Sequence, residues 1–434
     1  MIVESTRPSR WRTEGSLWGS RDLRDWQPYV VAGQIFIFLY MVVEFGAVIP
    51  PAIFSVAIAM VGFGVAIIAP PGMVMRIPLS VPVLLYLTWY VMSMAWAFDE
   101  VWWMRIARRE VLMTVAMIVV AALLPLLAIV RAIVASFYVV VVMTIASLIL
   151  SPATTTRHIY PGNSQPPLPG WHGLFDHKTG MALFLLIGLI TVLTFESSSL
   201  RRAVATATVV VLIIGSQSST GLSALVFVLA FHLWLKNYMA SRGQRGSAYV
   251  LGSVVVGGIA VFLMWAFMPT LLEARGKDLT LSGRTLIWSA SVDAIRDRPL
   301  TGYGIGGVWR DAATDPTAVM LRKIGFTVFH AHSTVLELML LLGAIGLVLF
   351  LVVYVSAVSG AIKALDHDPA LARWALLILG MQFVLSLSEV AAFGPWLPLM
   401  AAIGVLTARA NREPIPDGSA RPVAPAPEFA RRSP

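Results

Sequence analysis

Residues 329–347, FHAHSTVLELMLLLGAIGL, place proton-exchanging side chains at the start of a strongly apolar segment. His330 and His332 precede the apolar run, and Glu337 lies inside it. Ionisable groups are costly inside a membrane and usually mark a functional site there. Imidazole changes its charge near neutral pH, so it is suited to general base catalysis. The spacing of His330, Thr334 and Glu337 predicts that they share one helical face.

A second segment, residues 281–307, reads LSGRTLIWSASVDAIRDRPLTGYGIGG. Its apolar spacing predicts a short amphipathic helix over the membrane surface, with Ser282 as N-cap and Pro299 at its end. Arg284 falls in the first turn, where a cation opposes the helix dipole, so we expect an anionic partner such as a phosphate. The glycines of 302–307 predict a flexible turn. They fit a loose dinucleotide motif, but without a βαβ unit that function is excluded.

Two other segments carry polar residues beside apolar runs. In GWHGLFDHKTG, residues 170–180, His177 and Lys178 stand where a helix is expected to begin, which predicts an anion site. The alternative is an interfacial anchor made by Trp171 and Lys178. In GSQSSTG, residues 215–221, small polar residues could turn backbone N–H groups toward a cavity, or form a simple tight turn.

The composition indicates a membrane protein. Of the 434 residues, 58% are hydrophobic and only 13% are charged, against about 25% charged in a soluble domain. The mean hydropathy is +0.79. There are no cysteines, which excludes disulfides and thiolate metal sites. The fold class predicted is therefore an all-α polytopic membrane protein. In such a protein the net charge of +9 reflects which lysines and arginines lie on each side of the membrane, and it does not indicate nucleic-acid binding.

A membrane-spanning helix needs about 20 apolar residues. Twelve candidate spans are predicted, near 29–46, 48–69, 79–97, 111–130, 132–150, 178–195, 203–217, 220–235, 249–268, 333–357, 374–392 and 394–408. No removable signal peptide is expected before the first one. The domains predicted are a cytoplasmic segment 1–28, a transmembrane domain 29–408 with a large periplasmic loop 269–332, and a disordered cytoplasmic tail 409–434.

This orientation leaves most of the 32 lysines and arginines on the cytoplasmic side. The remaining cations lie outside, in 99–110, 151–178 and 269–332. The first of these segments is predicted to form a separate amphipathic helix on the membrane surface. In the two longer loops the cations predict an anionic ligand, with Arg157 and Arg310 among its contacts. No Asp-x-Asp pair of the metal-binding kind occurs on this side, so no metal and no cofactor are expected.

The order of these segments resembles the O-antigen ligase and polymerase superfamily of bacterial envelope glycosyltransferases, most closely its exopolysaccharide (Wzy-type) polymerases. SGRTLIWSASVDAIRDRPLTGYGIGG is similar to the family's arginine segment with its Pro and Gly-x-Gly turn. HSTVLELMLLLGAIGL is similar to its His-Asn-x-x-Leu stretch before a Gly-x-x-Gly helix. GLFDHKTGMA is similar to G-x-F-x-H-K-N. The resemblance covers roughly residues 170–350.

The resemblance implies an inverting, metal-independent transfer from an oligosaccharide on undecaprenyl pyrophosphate at the periplasmic face. His332 corresponds to the histidine that activates the acceptor hydroxyl, and Arg284 to an arginine that holds the pyrophosphate. The further substrate-binding residues expected are Lys178, His177, Arg157, Ser219, His330, Ser333, Glu337 and Arg310. Two positions depart from the family pattern: Ser219 or Thr220 stands where a basic residue is usual, and Ser333 replaces the usual Asn.

The partners expected are the lipid-linked donor, a glycan or lipid-linked acceptor, the bilayer of the bacterial inner membrane and a membrane protein that sets chain length. The function predicted is polymerisation of exopolysaccharide or O-antigen repeat units, with ligation of O-antigen to lipid A core as the alternative. Two alternative functions of a different class remain: a transporter of the same lipid and a structural membrane subunit. The single occurrence of the long loop argues against the internal repeats typical of transporters.

Overall fold

The computed structural model describes residues 27–44, 51–78, 80–97, 100–158, 168–241, 283–309 and 316–412. Within these ranges the chain is helical apart from turns and one antiparallel pair of two-residue strands, β1 (Arg157–His158) and β2 (Leu168–Pro169). The predicted all-α membrane fold is confirmed. The N-terminal segment 1–26, the tail from 413 and the predicted span 249–268 lie outside the described residues.

The described helices alternate with short turns. They are α1 (Pro28–Glu44), α2 (Pro51–Ile68), α3 (Pro71–Val74), α4 (Val81–Met92), α5 (Glu100–Leu123), α6 (Leu126–Leu150), α7 (Pro152–Thr155), α8 (Lys178–Phe195), α9 (Ser199–Ser216), α10 (Ser219–Ser241), α11 (Arg284–Asp297), α12 (Thr317–Ile324), α13 (Thr334–Lys363), α14 (Pro369–Ser386) and α15 (Trp396–Ala410). Short 3-10 helices follow α4 at Ser93–Trp96 and α13 at Ala364–Asp366.

Six described helices are long and apolar enough to cross a membrane: α6, α8, α9, α10, α13 and α14. Four shorter apolar helices accompany them, within α1, α2, α15 and the stretch that joins α4 to its 3-10 turn. Each of these helices overlaps a predicted span, with ends that differ by up to six residues. The overlap is expected because an apolar stretch of this length can satisfy its backbone in lipid only as a helix.

The predicted separate surface helix at 99–110 is wrong. The helix α5 runs without a break from Glu100 to Leu123, and it ends before Pro125 rather than near 130. Its first turns are not all exposed to lipid headgroups, since Ala107 and Glu110 are buried in the bundle. The stretch 100–110, which mixes charged and apolar residues, is therefore one end of a long helix.

The helix α13 belongs to one group of helices, in which it contacts α4, α14 and α15. A second group forms around α5, which packs on α2 and α15, while α1 joins α2 to α6. The helix α8 is the most enclosed span: it packs on α6, α9, α10 and α14, and nearly three quarters of it is buried. This burial fixes the start of α8, at Lys178, against its neighbours.

The helix α13 is broken at Gly343, whose backbone adopts φ 66° and ψ −170°. Residues 299–305 fill the break. The amides of Tyr303 and Gly304 donate to the carbonyls of Leu340 and Leu341 at 2.8 and 2.9 Å, and the amide of Ala344 donates to Pro299 O at 2.9 Å. The break thus leaves few backbone groups without a partner in the apolar interior.

The same contacts correct the predicted flexibility of the glycine turn at 302–307. A Cβ at Gly302 would lie 2.6 Å from Leu340 O, and one at Gly343 would lie 2.2 Å from the carbonyl carbon of Leu300. The glycines are needed because two backbones approach each other closely, with positive φ at both positions. The turn is therefore a fixed joint between α11 and α13.

Candidate functional site

The centre of the site is Glu389, in the connection between α14 and α15. Its Oε1 accepts hydrogen bonds from Arg284 Nη2 and from Thr220 Oγ1, both at 3.2 Å. Its Oε2 lies 3.5 Å from His332 Nδ1. One carboxylate thus joins a guanidinium, an imidazole and a hydroxyl that come from three distant parts of the chain.

The first turn of α13 holds this carboxylate in place. Thr334 Oγ1 donates to the backbone carbonyl of Glu389 at 3.0 Å and accepts from the amide of Ala391 at 2.8 Å. Gln382 Nε2 donates to Ala391 O at 2.7 Å. Thr334 and Gln382 therefore act on the backbone of 389–391, which leaves the Glu389 side chain to Arg284, Thr220 and His332.

The two histidines lie directly before α13. Their ring centroids are 4.0 Å apart, and the His332 amide donates to His330 Nδ1 at 3.2 Å. His332 has φ 50°, a left-handed conformation that is uncommon for a residue with a side chain. Such strain persists only where the surroundings fix it, often at functional sites. Here it turns the His332 ring toward Glu389.

Burial, together with the neighbouring His332, lowers the pKa of His330 to about 4. Arg284 and His177 lower it further, while Glu389 opposes them. His330 is therefore neutral at physiological pH.

Glu389 remains ionised although it is largely buried. Burial alone would raise its pKa, but the adjacent His332, then His330 and Arg284, outweigh that effect and hold the pKa below its usual value. The side chains of Arg284, Glu389 and His332 are 25%, 18% and 28% exposed. The cluster is thus sheltered but open enough for a ligand to reach.

Arg284 is the first residue of α11, where the helix dipole disfavours a cation. The expected anionic partner is present, and it is the Glu389 carboxylate. The single described contact uses one of five guanidinium N–H groups. The Ser282 predicted as N-cap lies outside the described residues, and Gly283, with φ 85°, occupies the N-cap position.

The segments 170–180 and 215–221 pack against each other. The Trp171 amide donates to Gly215 O at 2.9 Å, and Thr179 Oγ1 lies 3.4 Å from Ser218 Oγ. His177 is the N-cap of α8, since its Nδ1 accepts from the Thr179 amide at 3.2 Å. Lys178 follows as the first residue of that helix, with its side-chain stem beside Gly170.

The prediction that backbone amides of 215–221 face a cavity is wrong for two of them. Ser218 Oγ accepts from the Gly221 amide at 3.0 Å, and Ser216 Oγ accepts from the Ser218 amide at 3.2 Å. Ser219 is exposed at the start of α10, whereas Thr220 is buried and bonded to Glu389. Of the two predicted alternatives, the structure therefore brings Thr220 into the cluster.

The remaining predicted residues lie apart from this network. Glu337 is buried, and its Oε2 accepts from Trp309 Nε1 at 3.1 Å and from the Ala331 amide at 2.8 Å. The expected shared face with His330 does not form, because α13 begins only at Thr334. Ser333 is the N-cap of α13 but makes no capping bond with its side chain.

Arg157 lies in β1, but its side chain is outside the described part of the chain. Arg310 lies wholly outside the described residues.

One group of side chains among the described residues could hold a metal ion. The ligand atoms of His330, His332 and Glu389 lie within 4.8 Å of one another. Two contacts oppose a metal there. His330 Nδ1 already accepts an amide hydrogen bond, so the neutral ring carries its proton on Nε2. Arg284 also lies on the same carboxylate, where its charge would repel a cation.

Glu389 was missed in the sequence because it was placed inside the predicted span 374–392. The helix α14 ends at Ser386, so Glu389 lies in the connection that follows. The signal was available: an acidic residue within an apparently apolar span is a candidate functional group. Nothing in the local sequence indicates its partners, which are 169 and 105 residues away.

Comparison with known proteins supports the resemblance found in the sequence. Residues 203–351 match the family model described as O-antigen ligase. This range contains Thr220, Arg284 and His332. The chain is also 33% identical over 161 residues to the exopolysaccharide production protein ExoQ of Rhizobium meliloti. That alignment covers 36% of this chain and 37% of the relative, so it spans little more than a third of either protein.

Proposed function

We propose that the protein is a membrane glycosyltransferase that moves a glycan from undecaprenyl pyrophosphate to an acceptor hydroxyl, and that it polymerises repeat units of an exopolysaccharide or O-antigen. The observation that carries the proposal is the Glu389 network, in which Arg284 and His332 share one carboxylate at one end of the bundle. The family match covers Arg284 and His332 but ends before Glu389, and it supports the same reaction class.

In this mechanism His332 is the general base. With a proton on Nδ1, the imidazole faces Glu389, and its Nε2 is free to take the proton of the acceptor hydroxyl. Glu389 is a positioning residue, since it selects this tautomer and stabilises the imidazolium that forms. Neutral His330 lies beside the ring and does not compete for the proton.

Arg284 stabilises the leaving group. The acceptor oxygen forms a bond to the anomeric carbon while the bond from that carbon to the pyrophosphate oxygen breaks, and the electron pair leaves on the pyrophosphate. Attack opposite the leaving group inverts the anomeric configuration. A preorganised cation in a sheltered site stabilises the developing charge by about 3 kcal/mol. Lys178 is the proposed second cation, and no metal takes part.

The site is proposed to face the periplasm. The α9–α10 turn, the start of α13 and the α14–α15 connection lie at the same end of the bundle, because they meet at Glu389. With the N-terminus in the cytoplasm and the predicted span 249–268 included, this end is the outer one. Labelling of single cysteines at Ser219 and at Lys236 with an impermeant reagent tests the orientation. Reaction at Lys236 alone in intact cells would contradict it.

The activity is tested with purified protein in liposomes and a lipid-linked repeat unit. The wild type should form long chains, and His332→Ala and Arg284→Ala should abolish them. Arg296→Ala is the matched control, because Arg296 lies on the same helix with a side chain that is 73% exposed. EDTA should have no effect. Wild-type polymer from the His332 or Arg284 variant, or inhibition by EDTA that Mg²⁺ reverses, would contradict the mechanism.

Ligation of glycan to lipid A core is the second candidate, because the family model is described as O-antigen ligase. The similarity to an exopolysaccharide production protein favours polymerisation. Chains formed without an added acceptor indicate a polymerase, and product found only on lipid A core indicates a ligase. A transporter would bind the lipid-linked glycan at the same cations without breaking its sugar–phosphate bond.

A further inference from the structure

Four aromatic side chains form a continuous stack along α10. Phe227, Phe231, Trp234 and Tyr238 have successive ring centroids 5.2, 5.6 and 5.3 Å apart. The rings are close to parallel, with interplanar angles of 30°, 19° and 0°. All four are half-buried. We call them the aromatic ladder.

The ladder lies on the same face of α10 as Thr220. At 100° per residue, positions 227, 231, 234 and 238 fall within about 40° of position 220. Val226 and Leu233, which are 62% and 58% exposed, point to the lipid side, whereas Ala224 and Val228 are buried. The ladder therefore follows the border between the lipid-facing and protein-facing sides of the helix.

At this border α10 meets α14. Gly380 of α14 lies against the ladder: a Cβ there would be 2.9 Å from Phe231 Cε1 and 3.1 Å from Phe227 Cζ. Gly380 is itself half-buried, and Phe383, one turn nearer the end of α14, is 56% exposed. The two helices thus meet along a seam, and the partly exposed edges of the aromatic ladder and Phe383 line its bilayer side.

The seam ends at the functional site. The helix α10 begins beside Thr220, α14 ends three residues before Glu389, and the hydrogen bond between these two side chains closes the seam. On the proposed function, this is where the pyrophosphate of the donor meets Arg284. We infer that the polyprenyl tail of the donor lies in this seam, along the aromatic ladder.

The chemistry of the tail fits this surface. A polyprenyl chain is apolar and unsaturated, and it can pack flat against successive aromatic faces. The distance from Thr220 to Tyr238 is about 27 Å at 1.5 Å per residue, close to the hydrocarbon thickness of a bilayer, about 30 Å. The cations at the outer end match the charge of the pyrophosphate head. The competing explanation is that the rings only pack on α14 and bulk lipid.

Two probes without sugar separate these explanations: undecaprenyl pyrophosphate and geranyl pyrophosphate, whose heads are identical and whose tails differ in length. Binding is measured by native mass spectrometry in detergent. The double variant Phe227→Ala/Phe231→Ala should weaken binding of the long-chain probe by at least about tenfold and leave the short-chain probe unchanged. Gly380→Leu, whose side chain would press against Phe227 and Phe231 and displace the ladder, should have the same effect.

The control is Val226→Ala/Leu233→Ala, two apolar truncations on the lipid side of the same helix, and this variant should bind both probes as the wild type does. Equal loss of both probes in the ladder variants, no loss in either of them, or an equal loss in the control would overturn the inference alone. A wild-type protein that binds neither probe would overturn the proposed function and this inference together.

Discussion

Replacement of Glu389 by glutamine tests the centre of the site with little change in shape. The amide keeps an acceptor oxygen for Arg284 or Thr220, but it cannot balance the guanidinium or stabilise an imidazolium. The Glu389→Gln protein should therefore insert and fold normally, and it should fail mainly in catalysis. A purely structural role of Glu389 predicts the opposite, a loss of stability with activity retained per folded molecule.

The size of the effect follows from the contacts. Two charge-assisted interactions, with Arg284 at 3.2 Å and His332 at 3.5 Å, are lost or weakened. Each is worth about 1.5 kcal/mol. Because the amide still accepts one hydrogen bond and the cluster is partly exposed, we expect a net loss of about 2 kcal/mol. This corresponds to about a 30-fold fall in kcat/KM.

The assay is polymer formation in liposomes at pH 7, followed by a pH profile. Because the general base must be neutral, activity should fall towards acid pH in both proteins. The Glu389 carboxylate favours the imidazolium, so the acidic limb of Glu389→Gln should lie at lower pH than that of the wild type. Glu196→Gln is the matched control, since Glu196 makes an Arg–Glu pair of the same 3.2 Å length with Arg201, away from the site. An active Glu389→Gln protein with an unchanged pH profile would refute the reasoning.

Three further outcomes are expected. Gly343→Ala should lower the melting temperature and abolish activity, because the new Cβ would lie 2.2 Å from backbone of residue 300; Gly404→Ala, with no atom within 4 Å of its Cβ, should match the wild type in both assays. Glu337→Gln should lower the free energy of unfolding by about 1–2 kcal/mol and leave kcat within about threefold of the wild-type value. A loss of kcat with unchanged stability would instead place this carboxylate in catalysis. The pKa of His330 is lowered from 6.5 to about 4, so the unfolded protein takes up a proton on this histidine at a higher pH than the folded protein does, and the free energy of unfolding should decrease as the pH drops from 6.5 toward 4. Melting curves of His330→Gln should show a smaller decrease in stability over this range, and a decrease equal to that of the wild type would exclude His330 as its source.

The spans were predictable because apolar length is a local property of the sequence. Helices such as α8 and α10 begin within a residue of their predicted positions. The helix α5 was predicted only in part, as a span at 111–130, since the residues around Arg108 carry several charges that normally stay out of a span. Only packing against α2 and α15 accounts for the burial of that region.

The site was predictable in its residue types but not in its connections. Arg284 and His332 stood out because a cation opposed a helix dipole and an imidazole preceded an apolar helix. Glu389 could have been singled out as an acidic residue in an apolar span, but its contact with Arg284 could not be predicted, because a contact across 105 residues depends on how the helices pack. The prediction that Glu337 shares a helical face with His330 was wrong for the same reason. Its spacing from His330 placed it at the site, but in the packed structure its carboxylate contacts Trp309.

The filled break in α13 has a consequence for biogenesis. The carbonyls of Leu340, Leu341 and Leu342 find their partners in Tyr303, Gly304 and the Trp89 indole, none of which belongs to α13. Hydrocarbon offers no substitute donor, and each orphaned polar group there costs several kcal/mol. The segment can therefore enter the bilayer only as an unbroken helix or together with residues 299–305. The broken form of α13 is therefore acquired during assembly, when residues 299–305 dock into it.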